Sequence, residues 1–209
     1  MFAAFGFGTG PSVLPGDYTI TINAGNNKMA KTLKVTVDPR IKISDADLAD
    51  QLSTGMEMRD LVTKLNNLVT RLDDISGQLN AIAERNQRRT VPAEPAAATD
   101  GATGGSAPAV NPADIRTAQD QLKALRAKLV RECTMGYRCQ GRLRDEANSL
   151  MSSINGTIAK PTEGQKTAMR EMKEETSRAV DELNQIVNTS IKKINDQMSS
   201  MPHISTGGR

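Results

Sequence analysis

The side chains Leu61, Leu65, Leu68, Leu72, Ile75, Leu79 and Ile82 recur at steps of four and three, and no other feature limits the fold of this chain as tightly. An apolar row with that spacing lies along one face of an α-helix, and such a packing seam has to be covered by other helices. The pattern predicts a first long helix over residues 44–89, on the order of 65 Å at about 1.5 Å per residue. Ser44, with Asp47 three positions later, supplies its N-cap pattern. The early part of that helix, with Leu48, Leu52, Met56 and Gly55, is less regular, and a neighbouring element is expected to pack there.

Two further helical stretches follow. Asn111-Pro112 pairs a cap residue with a proline at the first helical position, and Ile115, Ala118, Leu122, Leu125 and Leu129 form one stripe. Leu143, Ala147, Leu150, Ile154 and Ile158 continue it, so a second helix is expected over residues 111–160, with a break near 133–141. Thr162 and Gln165 form a capping-box pattern after Pro161. A third helix is expected over residues 162–201, carrying Met169, Met172, Val180, Leu183, Val187, Ile191, Ile194 and Met198. Residues 202–209 form a tail. Between the first two helices, residues 90–110 turn to Pro, Ala, Thr and Gly, a composition with too little apolar surface to offset its ordering entropy, and a disordered linker is expected.

The N-terminal part has a different period. Over residues 17–40, Tyr18, Ile20 and Ile22 alternate with polar residues, Gly25-Asn26-Asn27 supplies turn chemistry, and Leu33, Val35 and Val37 alternate again. These are the marks of a β-hairpin with one apolar face. Such a hairpin is marginal alone, so its apolar face is expected to need cover. Residues 1–16 hold all three Phe in a Gly-rich run without Lys or Arg, unlike a secretory signal; a flexible start is expected, as the strand-and-loop remnant of a domain cut short or as a frayed tail that exposes apolar surface. With three Phe, two Tyr and no Trp, the core has to be aliphatic and methionine-rich. The fold class expected is mainly α: an antiparallel bundle of three long helices with an N-terminal β-hairpin.

The polar residues do not assemble a catalytic constellation. Asp73-Asp74 and Glu174-Glu175 are neighbours on helices, where adjacent side chains diverge by about 100° and cannot share a proton. His203 is the only histidine and has no partner in sequence, so no metal site and no cofactor are expected. Cys133 and Cys139 lie six apart; in an unbroken helix they point away from each other and remain free, whereas a loop at Thr134–Tyr137 would allow a disulfide between them. Arg85, Arg88 and Arg89 complement the dipole at the end of the first helix. Asn155-Gly156-Thr157 and Asn188-Thr189-Ser190 match the N-glycosylation acceptor pattern. The net charge of +3 is small, and the nine Lys/Arg against five Asp/Glu of residues 111–160 are spread as on a solvated face, so no nucleic-acid partner is expected. No stretch reaches the roughly 18 apolar residues of a membrane span.

One further set of residues suggests an origin. Pro15-Gly-Asp-Tyr-Thr-Ile-Thr-Ile22, a Gly-Asn turn, Lys31-Thr-Leu-Lys-Val-Thr-Val37 and then Asp38-Pro-Arg40 lead straight into a long helix. This run resembles the C-terminal region of bacterial exported proteins with sortilin-like, BNR-repeat β-propellers, often labelled glycosyl hydrolases. The resemblance implies that the hairpin is the remnant of an Ig-like β-sandwich, that Asp-Pro-Arg is its exit, and that a helical bundle follows. It implies a non-catalytic accessory module whose partners are the parent β-propeller and β-sandwich domains, the chain itself, or an envelope protein, in an extracellular or periplasmic setting. The propeller repeats and their Asp-box motifs are missing here, so the hydrolase label has no residues to rest on. The competing expectation is an autonomous coiled-coil scaffold that oligomerises in the cytoplasm; a third is part of a glycosyl-hydrolase-like enzyme whose catalytic domain lies elsewhere.

Overall fold

The computed structural model describes residues 10–90, 110–131, 140–198 and 202–207, without the side chains of residues 89 and 90. The first nine residues, most of the expected linker and the segment with Cys133 and Cys139 lie outside the described residues, and so do the expectations placed on them. The chain is mainly α-helical with an N-terminal antiparallel hairpin: β1 (Gly16–Ala24), β2 (Asn27–Val35), α1 (Asp45–Thr90), α2 (Pro112–Leu129), α3 (Leu143–Asn155), α4 (Glu163–Ile186), a π-helical turn (Val187–Ile191) and α5 (Lys192–Gln197). Its residues cluster into two compact units. One comprises the described residues of Met1–Val62 with Glu146–Met172, the other those of Thr63–Asp145 with Lys173–Arg209.

In the first unit the hairpin turns through Gly25-Asn26. Gly25 takes φ +57°, the left-handed conformation that glycine adopts without a steric penalty. The strands pair Tyr18 with Leu33, Ile20 with Lys31 and Ile22 with Met29. Asn27, expected in the turn, begins β2, and the second strand ends at Val35, short of Val37. The exit then folds onto itself. The Arg40 N–H and Nε donate to Asp38 Oδ1 at 2.9 and 3.0 Å, and Nη2 donates to Oδ2 at 2.6 Å. Four residues on, the Asp47 N–H donates to Ser44 Oγ at 3.1 Å, capping α1 as its sequence predicts. A reciprocal box closes the start of α4: the Gln165 N–H reaches Thr162 Oγ1 at 3.1 Å and the Thr162 N–H reaches Gln165 Oε1 at 2.9 Å. Within this unit Gln51 on α1 donates through Nε2 to the carbonyls of Ile154 and Thr157. Lys166 on α4 meets Asp50 at 2.7 Å, and that carboxylate raises the Lys166 ammonium pKa above its ordinary value.

The second unit is an antiparallel bundle. Asp73 and Asn80 on α1 meet Arg126 and Gln119 on α2, each at 2.7 Å, so the two helices run in opposite directions. Lys128 and Gln121 of α2 meet Glu182 of α4 and Ser190 of the π turn at 2.8 and 2.6 Å, which sets the third helix antiparallel to the second. Surface pairs of this kind contribute little each; their value is in fixing orientation, and the stabilising term is the core. There, Leu65, Leu72, Ile75, Leu79, Leu122, Leu125, Leu129, Leu183, Ile191, Ile194 and Met198 are all within 1% of full burial.

The helix boundaries differ from the expected ones for physical reasons. α2 stops at Leu129 and Val130 is extended, with φ −126° and ψ 135°; helix resumes at Leu143. α3 ends at Asn155; the Gly156 N–H still donates to the Ser152 carbonyl at 2.8 Å, but beyond it the chain leaves the helix, so Ile158 departs from the predicted stripe and is 49% exposed. Val110, assigned to the linker, is fully buried, and its carbonyl accepts from Asn86 Nδ2 at 2.6 Å. The third helix gives way at Val187–Ile191 to a π turn and ends at Gln197.

Candidate interaction surfaces

The hairpin carries the first candidate surface. One face presents Tyr18, Ile20, Ile22, Met29, Lys31 and Leu33, by the alternation of the strands and the observed register. Ile20 and Leu33 are each 49% exposed, Ile22 61% and Met29 70%. Lys31 stands opposite Ile20 in the middle of this apolar set. The opposite face carries Asp17, Thr19, Thr21, Asn23, Lys28, Ala30, Thr32 and Lys34. The sequence located Tyr18, Ile20, Ile22 and Leu33 on the apolar side; Met29 escaped because it follows Lys28 at the turn end of β2, where the alternation has barely begun.

At the base of the hairpin, Pro11, Leu14, Val35, Val37, Leu52 and Ile158 line an apolar cleft of about 200 Å³. Asn155 also lines it. Its Nδ2 is buried without a hydrogen-bond partner, and its Oδ1 lies so close to α1 that a Cβ on Gly55 would be 2.6 Å away. The buried amide nitrogen of Asn155 is thus withheld from solvent, and of the two glycosylation patterns only Asn188, exposed on the π turn, offers its side chain.

In the second unit a different arrangement holds the tail. Asn195 grips the main chain of Ile204 on both sides: the Ile204 N–H donates to Oδ1 at 2.8 Å and Nδ2 donates to the Ile204 carbonyl at 3.4 Å. Gln78 does the same to Ser205, accepting its N–H at 2.8 Å and donating to its carbonyl at 3.1 Å. Arg71 donates through Nε to the Thr206 carbonyl at 2.6 Å and through Nη1 to Asn184 at 3.2 Å. The Ile204 side chain is 5% exposed. Beside the docked tail an open groove of about 930 Å³ runs past Lys64, Asn67, Thr70 and Asp74. None of Arg71, Gln78, Asn195 or Ile204 stood out in the sequence, because a carboxamide gripping a main chain leaves no spacing pattern.

The residues weighed for chemistry are dispersed. Asp73 is paired with Arg126, Glu174 faces Arg178 at 4.0 Å, and Glu175 and His203 are exposed. Arg88 lies 3.8 Å from Glu84 and Arg85 is exposed, as on an ordinary helix end. Among the described residues no group of three or more His, Cys, Asp or Glu is placed to hold a metal ion, and no helix is long and apolar enough to cross a membrane. The seven seam residues Leu61, Leu65, Leu68, Leu72, Ile75, Leu79 and Ile82 are all at most 7% exposed. No family model matches the chain, and no curated protein and no solved structure matches it.

Proposed function

We propose that this chain is a non-catalytic interaction module, the C-terminal accessory part of an exported sortilin-like β-propeller protein, and that its hairpin is the surface through which it binds the parent's β-domains. The observation that carries this reading is the exposure of Ile20, Ile22, Met29 and Leu33 on one face of the hairpin. A sheet face with that much apolar surface in water is what remains when facing strands are missing, and contiguous exposed apolar surface marks association sites. The Pro15–Arg40 run that resembles the family is the segment that carries this face. The oligomerising-scaffold alternative draws less support: the seam that would zip copies together is already buried inside the single chain.

The test is dye binding and self-association of the purified chain. A hydrophobic dye should be bound, and replacing Ile20, Ile22, Met29 and Leu33 together with Ser should abolish the signal while the helical circular dichroism stays unchanged. A full chain that is monodisperse and silent to the dye would overturn the reading.

A further inference from the structure

The contacts on residues 204–206 have the form of peptide recognition. Two carboxamides each satisfy both the N–H and the C=O of one residue, Asn195 on Ile204 and Gln78 on Ser205, as strands flanking an extended segment on its two edges would. Every one of these bonds goes to the main chain, so they select an extended backbone without reading its side chains. Selection comes from one place, the buried Ile204 side chain. Proline is excluded at 204 and 205, since both N–H groups are used. The open groove continues beside the docked residues, lined by Lys64, Asn67 and Thr70 of α1.

We infer that the seat of the docked residues, built by Arg71 and Gln78 of α1 and Asn195 of α5, is a capture site for an extended peptide with an aliphatic anchor residue, and that residues 202–207 are its resident occupant. Among the described residues the tail is held by main-chain bonds and one apolar anchor, and such a segment is exchangeable, because a competitor of the same chemistry makes those same contacts. The cis tail acts at an effective concentration of about millimolar, so a partner peptide competes where it is presented locally or where the anchor is weakened.

The experiment uses the full chain and a fluorescent synthetic peptide, Pro-His-Ile-Ser-Thr-Gly, corresponding to residues 202–207. In the Ile204→Asp chain, whose own tail has lost its anchor, the peptide should bind with 1:1 stoichiometry. It should bind the unaltered chain at least about tenfold more weakly, because the cis tail competes. A peptide carrying Asp in place of its Ile should bind neither. An Ile204→Asp chain that keeps its helical signal and fails to bind the peptide at millimolar concentration overturns the inference. Should that variant not fold, amide hydrogen exchange on the unaltered chain decides: about 10 mM peptide should accelerate exchange at Ser205 by displacing the tail, and unchanged protection there overturns the inference equally.

Discussion

Asp114 sits in the first turn of α2, where a carboxylate complements the helix dipole, and it receives Lys193 and Gln197, each at 2.8 Å. The hydrogen bond from Lys193, then that from Gln197, holds its pKa below the usual carboxylate range. A lowered folded-state pKa favours the ionised form, so the contribution to stability is complete above the unfolded value of about 4 and is lost as the pH falls through the folded one. Asp114→Asn should lower the denaturation midpoint at neutral pH and narrow the gap between neutral and acid midpoints. Identical pH dependence in both proteins would count against this assignment. Leu68, 5% exposed, tests the seam itself: Leu68→Ala should cost about 2 to 5 kcal/mol through lost burial and the cavity left behind, read from thermal melts.

At the scale of elements, the stripe on the third helix explains the π turn. Met169, Met172, Thr176, Ala179, Leu183 and Ile186 recur at steps of three and four; the next core residues are Ile191, Ile194 and Met198, five positions beyond Ile186. An α-helix would rotate Ile191 about 140° off the stripe. The wider turn over Val187–Ile191 absorbs the extra residue, and Ile191 and Ile194 return to full burial. Deleting Asn188 should therefore convert the segment to plain α-helix with little change in melting temperature, whereas deleting the equally exposed Glu175 should turn everything beyond it by about 100° and unfold the bundle. Equal effects from the two deletions would refute the register account. The same comparison marks what the sequence made legible. The seam of α1 was readable because its spacing is regular, and it extends one step further to Met58, fully buried, while the expected Met56 is 36% exposed. Val180 and Val187, expected on the third stripe, are only half-buried: Ala179 takes the core position beside Val180, and Val187 stands four before Ile191, a step that the inserted residue displaces. The caps at Ser44, Asn111 and Thr162 were legible because each is a contact between near neighbours. The tail clamp joins Gln78 to Ser205, and no local pattern records a pairing at that separation.

For the molecule as a whole, the division of apolar surface is uneven: the bundle seam is hidden, whereas the hairpin keeps four large side chains in water. Two nine-residue strands with open edges and an apolar face are the ingredients of uncontrolled sheet growth. Lys31 lies in the centre of that face, opposite Ile20, and Lys28 and Lys34 line the other face of the same strand. A second copy stacking on this hairpin would bring ammonium against ammonium, while a partner sheet offering a carboxylate at that point would gain an ion pair. Lys31→Val should accordingly increase light scattering and amyloid-dye fluorescence on concentration, and a variant as soluble as the parent would deny the lysine this role. One cation set among those aliphatic side chains is the gatekeeper arrangement that opposes stacking of a sticky strand pair on its own copies.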